Sequence, residues 1–433
     1  MLFRSTAAIN LSAVLGDKTF DRSTSFAVLA PLDGSSALSD SRFGAHLHYQ
    51  GGDTRISNLI DTLAFNGIGH VRSDVSWWHT ETEPGVYNYE AHTVDAMEHF
   101  ARVGITALQL PVYSSAFYDN GRTPSTPEGL QAYANFANDV VSHFSEVGQD
   151  VEVYNEFDHT FNTGECGPTA ACYLDMLSTT ATTIKAANPN ATIVAPGNAG
   201  MGIKFDWLQD FFDLGGLQYT DAISAHPYIR TELPETLGGD LDRLTQMIRD
   251  ANGGADKPIW LSEMGWSTVP NWVDDDAQAN FLVRMMAVSF GHGVERVYWY
   301  EAADSGLIPD DGESNFGLFE APISLIPNAY APKLSGVAQA VLARQISGKD
   351  FVSFSDLEQG AHAYTFGEGD EATNIVWTEA ESTSVTIEAS GPVTITDMFG
   401  SKTELEPVDG SIQLNLSPRA AYLNGPVTSI SVP

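Results

Sequence analysis

Residues 151–157, Val-Glu-Val-Tyr-Asn-Glu-Phe, form a short apolar run that ends in an Asn-Glu pair. Residues 259–266, Ile-Trp-Leu-Ser-Glu-Met-Gly-Trp, repeat this design, with one carboxylate near the end of an apolar run. The two glutamates, Glu156 and Glu263, are 263 − 156 = 107 positions apart, which leaves room for two strand–helix units between them. If both runs are strands of one parallel barrel, their carboxyl ends lie at the same rim and face each other across it.

A regular alternation of strands and helices begins near residue 43. Apolar runs predict strands at 43–49, 68–73, 105–111, 150–156, 192–197, 222–227, 259–263 and 295–300. Helical periodicity predicts helices near 55–66, 90–102, 128–146, 170–188, 204–214, 239–251, 273–290 and 332–346. Most of the strand runs do not alternate polar and apolar residues, as expected for parallel strands that are covered on both faces. The pattern predicts an α/β fold, a (β/α)8 TIM barrel.

The pattern changes at about residue 347. Short alternating runs separated by turn signals predict an antiparallel β-sandwich, with strands at 350–354, 361–366, 373–378, 383–388, 392–397, 412–416 and 420–423. The predicted domains are a leader at 1–40, a catalytic barrel at 41–346 and an accessory sandwich at 347–433. The leader has one possible strand at 25–30, which could add to the sandwich. We expect the barrel and the sandwich to pack together rigidly, because no linker separates them.

The composition excludes some classes of protein. The chain has 56 Asp and Glu against 21 Lys and Arg, for a net charge of −35, so nucleic-acid binding is disfavoured. An acidic surface resists aggregation, and it fits either a high-salt habitat or an ordinary acidic secreted enzyme. No apolar run approaches the roughly 18 residues of a membrane span. The sequence gives no indication of the oligomeric state.

Two cysteines, Cys166 and Cys172, lie in one Gly- and Pro-containing loop. They form either a local disulfide, which indicates an oxidising compartment, or two free thiols. Their spacing matches no zinc signature. We expect a secreted or extracellular protein, although residues 1–16 resemble an export signal only weakly.

The predicted strand ends carry polar and aromatic side chains. Carboxylates, one arginine, one histidine and several aromatic rings form a ring around the barrel axis, and this set suits a saccharide with apolar faces and many hydroxyls. The side chains concerned are Arg72, Asn155, Glu156, His226, Tyr228, Glu263, Trp266 and Trp299. Two carboxylates facing each other are what hydrolysis of a glycosidic bond requires.

Structural interpretations compete with these functional ones. Asn155 and Glu156 could cap a helix, Glu263 could belong to a salt bridge, and the arginine, histidine and aromatic residues could pack in the core. His46 and His48 raise a separate possibility, since two histidines on one strand face begin the site of metal-dependent barrel hydrolases. The fifth predicted strand offers no histidine to complete such a site.

Three motifs resemble a known group of enzymes. They are Gly-His-Val-Arg-Ser-Asp-Val-Ser-Trp at 69–77, followed by Glu-Pro-Gly-Val-Tyr-Asn-Tyr at 83–89; Val-Tyr-Asn-Glu at 153–156; and Trp-Leu-Ser-Glu-Met-Gly-Trp at 260–266. With the barrel-plus-sandwich layout, residues 43–425 resemble a clan A retaining glycoside hydrolase, similar to family 39 and its relatives.

The resemblance implies roles for individual residues. Glu156 would be the general acid/base and Glu263 the nucleophile, about 5–5.5 Å apart. Asn155 would form a hydrogen bond with the 2-hydroxyl of the sugar, and Arg72 and Tyr228 would keep Glu263 ionised. Trp299 would form the floor of the subsite. His48, His226 and Trp266 complete the predicted substrate-binding set. The resemblance implies a carbohydrate substrate and no metal or organic cofactor.

The predicted function is therefore retaining hydrolysis of an oligo- or polysaccharide. Two alternatives stay open, a non-catalytic carbohydrate-binding barrel and a metal-dependent hydrolase built on His46 and His48. The segment after Glu156 fits no subfamily pattern, so the sugar and its linkage stay unassigned.

Overall fold

The structure is a computed structural model. It describes residues 6–15, 18–29, 32, 38, 40, 42–48, 56–306, 308, 310–321 and 330–433.

The chain begins with a hairpin. β1 (Thr6–Leu15) and β2 (Lys18–Ala27) pair antiparallel along their whole length and form a two-stranded sheet of their own. The predicted strand at 25–30 overlaps the end of β2, and its last residue lies outside the described residues. Within the described residues, β1 and β2 pair with each other and not with a strand of the C-terminal sheets.

Eight parallel strands close into a barrel in chain order, which confirms the predicted TIM barrel. A short antiparallel ribbon, β5 (Glu81–Glu83) and β6 (Val86–Tyr87), follows the second barrel strand. The barrel strands are β3 (Phe43–His46), β4 (His70–Ser76), β7 (Thr106–Val112), β8 (Asp150–Glu152), β9 (Thr192–Met201), β10 (Ala222–Tyr228), β11 (Ile259–Met264) and β12 (Val294–Trp299). Residue 49 of the first predicted strand lies outside the described residues.

The helices alternate with the barrel strands, as predicted. Several begin at a side-chain cap: Thr126, Thr169 and Asp274 each accept a hydrogen bond from a backbone N–H of the first turn. The helices are α1 (Ile56–Phe65), α2 (Trp77–Thr80), α3 (Ala91–Val103), α4 (Pro127–His143), α5 (Ala170–Ala187), α6 (Phe205–Asp213), α7 (Thr236–Ala251), α8 (Asp275–Gly291) and α9 (Leu334–Ile346).

The fourth barrel strand is shorter than predicted. β8 ends at Glu152, whereas the prediction extended it to residue 156. Tyr154 (φ 68°) and Glu156 (φ 47°) adopt the left-handed conformation, which strands do not use. The segment after β8 still runs beside β9, because Glu156 N donates to Gly197 O at 3.2 Å. Glu156 therefore sits on a turn just beyond the strand, at the rim of the barrel.

Two antiparallel sheets form the C-terminal region, as the predicted sandwich requires. The six-stranded sheet has the order β13-β14-β15-β20-β17-β18, and the three-stranded sheet has the order β19-β16-β21. The strands are β13 (Phe351–Asp356), β14 (Ala361–Phe366), β15 (Thr373–Thr378), β16 (Thr383–Ala389), β17 (Val393–Asp397), β18 (Lys402–Leu405), β19 (Ser411–Leu416), β20 (Ala421–Asn424) and β21 (Val427–Ser431). The sequence did not predict β18 and β21.

The larger sheet packs against the barrel through α8. The ring of Tyr364 lies against Gly291, and Asn280 exchanges two hydrogen bonds with the backbone of Pro418 and Ala420. Aromatic residues of this sheet belong to the same continuous core as the barrel helices. The packing agrees with the expected close association of the two parts.

Cys166 and Cys172 form a disulfide. Cys166 precedes α5, and Cys172 lies in the first turn of that helix. Among the described residues, no helix is long and apolar enough to cross a membrane.

Candidate active site

A cavity of about 720 Å³ opens at the carboxyl ends of the barrel strands. This volume is within the range of small-molecule sites. Six residues named in the sequence analysis line the cavity: His46, His48, Asn155, Glu156, Tyr228 and Glu263.

Glu263 is buried near the end of β11 and is surrounded by donors. Arg72 Nη1 donates to its Oε1, and Tyr228 Oη donates to its Oε2 at 2.9 Å. Burial by itself would raise the pKa of Glu263, but the positive charges of His226 and Arg72 outweigh it and lower the pKa well below the ordinary value. Glu263 is therefore an ionised carboxylate held in one orientation.

Arg72 is fully buried and links three polar residues besides Glu263. Its Nε donates to Glu152 Oε2 at 2.5 Å, its Nη2 to Asn155 Oδ1 at 2.7 Å, and its Nη1 contacts His46 Nδ1 at 2.8 Å. Burial opposes the charge of Arg72, but Glu152 and Glu263 raise its pKa. Arg72 thus acts on Glu263 from below the cavity and has no exposed surface to offer a ligand.

Asn155 is held by hydrogen bonds on both sides of its amide. Its oxygen accepts from Arg72, and its Nδ2 donates to Tyr113 Oη at 3.2 Å. The amide group therefore has a fixed orientation at the cavity wall, beside Glu156.

Glu156 shares a hydrogen bond with the fully buried His226. His226 Nδ1 lies 3.0 Å from Glu156 Oε1, and His226 Nε2 lies 3.0 Å from Ser262 Oγ. The Ser262 hydroxyl donates its one proton to Glu152, so it accepts from His226, and Nε2 of His226 carries hydrogen. One further proton can then occupy either His226 Nδ1 or Glu156. Burial lowers the pKa of His226, but Glu263 and the bond to Glu156 raise it more.

The two carboxylates are close together. One oxygen of Glu156 and one of Glu263 lie within 4.8 Å of each other. His226 Nδ1, 3.7 Å from Glu263 Oε2, lies near both. The site thus pairs an ionised carboxylate with a second carboxyl group that has access to a proton.

His46, His48 and Asp74 form a second cluster at the same rim. His46 Nε2 lies 3.5 Å from Asp74 Oδ1, and His48 Nδ1 lies 3.3 Å from Asp74 Oδ2. A guanidinium can only donate, so His46 Nδ1 accepts from Arg72 and its Nε2 carries the proton. A metal ion at this nitrogen would have to displace that proton, so the contact of His46 with Asp74 competes with the metal-dependent alternative.

Four residues of the predicted binding set do not line the cavity: Arg72, His226, Trp266 and Trp299. Trp266 and Trp299 are fully buried and pack against each other, with ring centroids 6.0 Å apart. Trp299 Nε1 donates to Phe316 O inside the protein. The prediction that these tryptophans contact the substrate was therefore wrong.

Other residues line the cavity without having been predicted to bind the substrate. Tyr300 lies one position after Trp299 and faces the cavity, and Tyr113 lies at the end of β7. Successive strand residues point to opposite sides, so an error of one position exchanges a core residue for a cavity residue. The position of Tyr113 and Tyr300 at the ends of predicted strands was the sequence signal that could have indicated their place in the cavity.

Residues 130–315 match the family model described as glycosyl hydrolase catalytic core. No curated protein matches the chain. Solved structures with the same fold include a family 39 glycoside hydrolase from Bacteroides cellulosilyticus WH2, at 23% identity and a TM-score of 0.82, with 98% of this chain and 88% of that chain covered.

Two further structures are less similar. A GH30 endoxylanase from Clostridium papyrosolvens C71 has 13% identity and a TM-score of 0.61, covering 89% of this chain and 96% of its own. A GH39 β-xylosidase from Caulobacter crescentus has 14% identity and a TM-score of 0.61, covering 93% and 98%. Residues 130–315 are thus similar to a glycosyl hydrolase catalytic core, and the chain shares its barrel-plus-sandwich fold with family 39 and family 30 enzymes.

Proposed function

We propose that the protein hydrolyses glycosidic bonds with retention of configuration, using Glu156 and Glu263. The observation that carries the proposal is the separation of the two carboxylates, with one oxygen of each within 4.8 Å of the other. Retaining enzymes place their carboxyl groups about 5–5.5 Å apart, whereas inverting enzymes leave about 6.5–9.5 Å for a water molecule. The short separation favours direct attack by a carboxylate.

Glu263 is the nucleophile in this proposal. The donors Arg72 and Tyr228 fix its two oxygens, and the lowered pKa keeps it ionised. In the first step, the carboxylate attacks the anomeric carbon while the bond to the leaving oxygen breaks, which forms a glycosyl ester.

Glu156 is the general acid and then the general base. It delivers the proton that it shares with His226 to the leaving oxygen in the first step. In the second step, a water molecule attacks the ester, Glu156 accepts the proton of that water, and Glu263 leaves as a carboxylate. Acid and base are the same group, as double displacement requires.

The cavity walls supply surfaces that suit sugar rings. Tyr113 and Phe161 stack in parallel, with centroids 5.3 Å apart and planes 5° apart, and both line the cavity. Tyr228, Tyr300 and Phe316 form an edge-to-face cluster on another wall. Aromatic faces with an oriented amide from Asn155 nearby are the groups that bind C–H faces and hydroxyls.

We propose in addition that the protein works outside the cytoplasm. The disulfide between Cys166 and Cys172 supports this location, because such bonds persist in oxidising compartments. Fractionation of the producing cells, with detection of the protein in the medium, tests this proposal.

The activity is tested by incubating the wild type with a broad panel of glycans, at low and high salt. Because two of the similar structures are those of an endoxylanase and a β-xylosidase, the panel starts with xylan and aryl β-xylosides. Glu263→Ala is the blank. We expect the wild type to release product at least roughly 10²–10⁴ times faster than either Glu263→Ala or Glu156→Ala.

The panel also decides between catalysis and binding alone. A barrel that binds carbohydrate without cleaving it would retain the glycan with the wild type and release no product. Turnover in either alanine variant within about tenfold of the wild type would contradict the assignment of the catalytic pair.

A further inference from the structure

One cationic side chain on the cavity wall has no role in the proposed reaction. Arg230 lies two positions after Tyr228 at the end of β10, is exposed, and lines the cavity. Its backbone is left-handed, with φ 40°, a conformation that is uncommon for a residue other than glycine. The fold therefore holds this arginine at the cavity rim in a conformation that carries a local cost.

An aromatic ring fixes the direction of the guanidinium. Arg230 Cζ lies 4.8 Å from the ring centroid of Trp272, which also lines the cavity. Trp272 contacts Phe316 edge to face at 6.1 Å, and Phe316 contacts Tyr228 in the same way at 5.9 Å. A continuous aromatic wall thus runs from the residue that holds the nucleophile to the arginine.

The charge of Arg230 is not neutralised by the protein. Where the chain is described, no carboxylate lies within salt-bridge distance of its guanidinium, in a protein with 56 acidic residues against 21 basic ones. Lys204, which also lines the cavity, differs, because its Nζ lies 2.6 Å from the buried carboxylate of Asp158. Arg230 is thus available for an anion that comes with the substrate.

We propose that Arg230 and Trp272 form a subsite for an acidic sugar, whose carboxylate or sulfate pairs with the guanidinium while its ring packs on the indole. The proposal rests on the proposed glycosidase function. Arginine pairs with carboxylate and sulfate groups through parallel N–H···O bonds, and tryptophan offers the ring a flat surface. The substrate class is a glycan that carries isolated anionic units.

A dense polyanion does not fit this cavity. Asp74, Glu156, Glu263 and Glu313 place four acidic groups along the rest of its wall. The net charge of −35 opposes the approach of a chain with a charge on every residue. A ligand that carries one anion, bound at Arg230, and is otherwise neutral avoids repulsion both from the acidic cavity wall and from the net charge of the protein.

Binding of small probes tests the subsite without any need for catalysis. Methyl β-glucuronide, glucose 6-sulfate and methyl β-glucoside are titrated into the wild type by ligand-observed NMR. We expect at least one anionic probe to bind roughly fivefold or more tighter than the neutral glucoside, and to weaken as salt is raised. The two anionic probes distinguish a carboxylate site from a sulfate site.

Arg230→Gln should abolish the preference for the anionic probe. The matched control is Arg243→Gln, because Arg243 also lies over an aromatic ring, Phe205, at 3.8 Å, but does not line the cavity. It should keep the preference. Equal binding of charged and neutral probes to the wild type, binding of neither, or an unchanged preference in Arg230→Gln would each overturn the proposal. Since no bond is cleaved, these outcomes are independent of turnover and of the glutamate pair.

Discussion

At the scale of single residues, the hydrogen bond from Tyr228 stabilises the ionised carboxylate of Glu263, the proposed nucleophile. Tyr228→Phe removes the 2.9 Å bond and keeps the ring. A hydrogen bond to a charged group contributes about 1.5–3 kcal/mol, so we expect kcat/KM to fall by roughly 10- to 100-fold.

The same substitution should change the pH profile. Because the pKa of Glu263 is lowered, the acid limb of the wild type should lie below the ordinary glutamate value of 4.5. Losing a donor to the carboxylate raises its pKa, so the limb of Tyr228→Phe should move to higher pH. A lower rate with an unmoved acid limb would show that Tyr228 acts only by packing.

A second residue-scale prediction concerns Glu301, which is buried beside His48. Burial raises the pKa of Glu301 to about 8, with Asp304 adding to the effect and His48 opposing it. Between pH 4.5 and 8 the folded protein therefore holds a proton that the unfolded chain has lost, and stability falls as the pH rises through this window. The amide introduced by Glu301→Gln does not titrate. The Tm of this variant minus the Tm of the wild type should therefore increase from pH 4.5 to pH 8.

The control for this measurement is Glu404→Gln, which changes an exposed glutamate on β18. Its Tm should track the wild type at every pH. A constant difference between Glu301→Gln and the wild type across the window would contradict a raised pKa at Glu301.

Most of the site was predictable because parallel strands deliver their ends to one rim. Glu156, Glu263 and Tyr228 reach the cavity for this reason. The errors at Trp266 and Trp299 arose because an apolar run does not reveal which of two adjacent residues points inward. The support of Glu263 by His226 depends on side-chain geometry, which strand position alone does not give.

At the scale of elements, the Cys166–Cys172 disulfide closes a loop directly before α5. The loop itself is attached to α6, since Trp207 Nε1 donates to Pro168 O at 3.0 Å. Upstream of this loop, His159, Thr160 and Phe161 line the cavity.

Replacing both cysteines by serine should therefore lower stability and weaken substrate binding. The chain-entropy model gives about 2 kcal/mol for so short a loop. We expect a lower Tm and a higher KM with a smaller effect on kcat, measured on the substrate that the panel identifies. An unchanged Tm and an unchanged KM would show that the loop is held by its other contacts.

The barrel elements were predictable because long periodic segments leave a strong pattern. The sequence analysis missed two strands of the C-terminal sheets, each for an identifiable reason. β18, Lys-Thr-Glu-Leu, is an exposed strand at the sheet edge, where no buried face imposes an apolar pattern. β21 lies at the end of the three-stranded sheet, next to β16, and is largely polar. The early end of β8 escaped prediction because the left-handed residues Tyr154 and Glu156 follow an apolar run without a glycine.

At the scale of the whole molecule, α8 joins the barrel to the larger sheet. A Cβ atom on Gly291 would lie 2.5 Å from Tyr364, whose ring is stacked on Trp377 and Phe354 and cannot move freely. Gly291→Ala should therefore destabilise the protein by about 1–3 kcal/mol, measured by denaturant unfolding.

Gly239→Ala in α7 is the matched control. A Cβ atom there meets nothing within 4 Å, so alanine should be neutral or slightly stabilising in the helix. Equal stability of the two variants would contradict tight packing between the barrel and the sheet.

The stereochemistry of the reaction tests the central claim most directly. The wild type is given the substrate that the panel identifies, and the anomer of the first product is followed by ¹H NMR before it equilibrates. Because Glu156 and Glu263 lie within 4.8 Å, we predict that the first product has the anomeric configuration of the substrate. A first product of the opposite configuration would contradict double displacement at this pair.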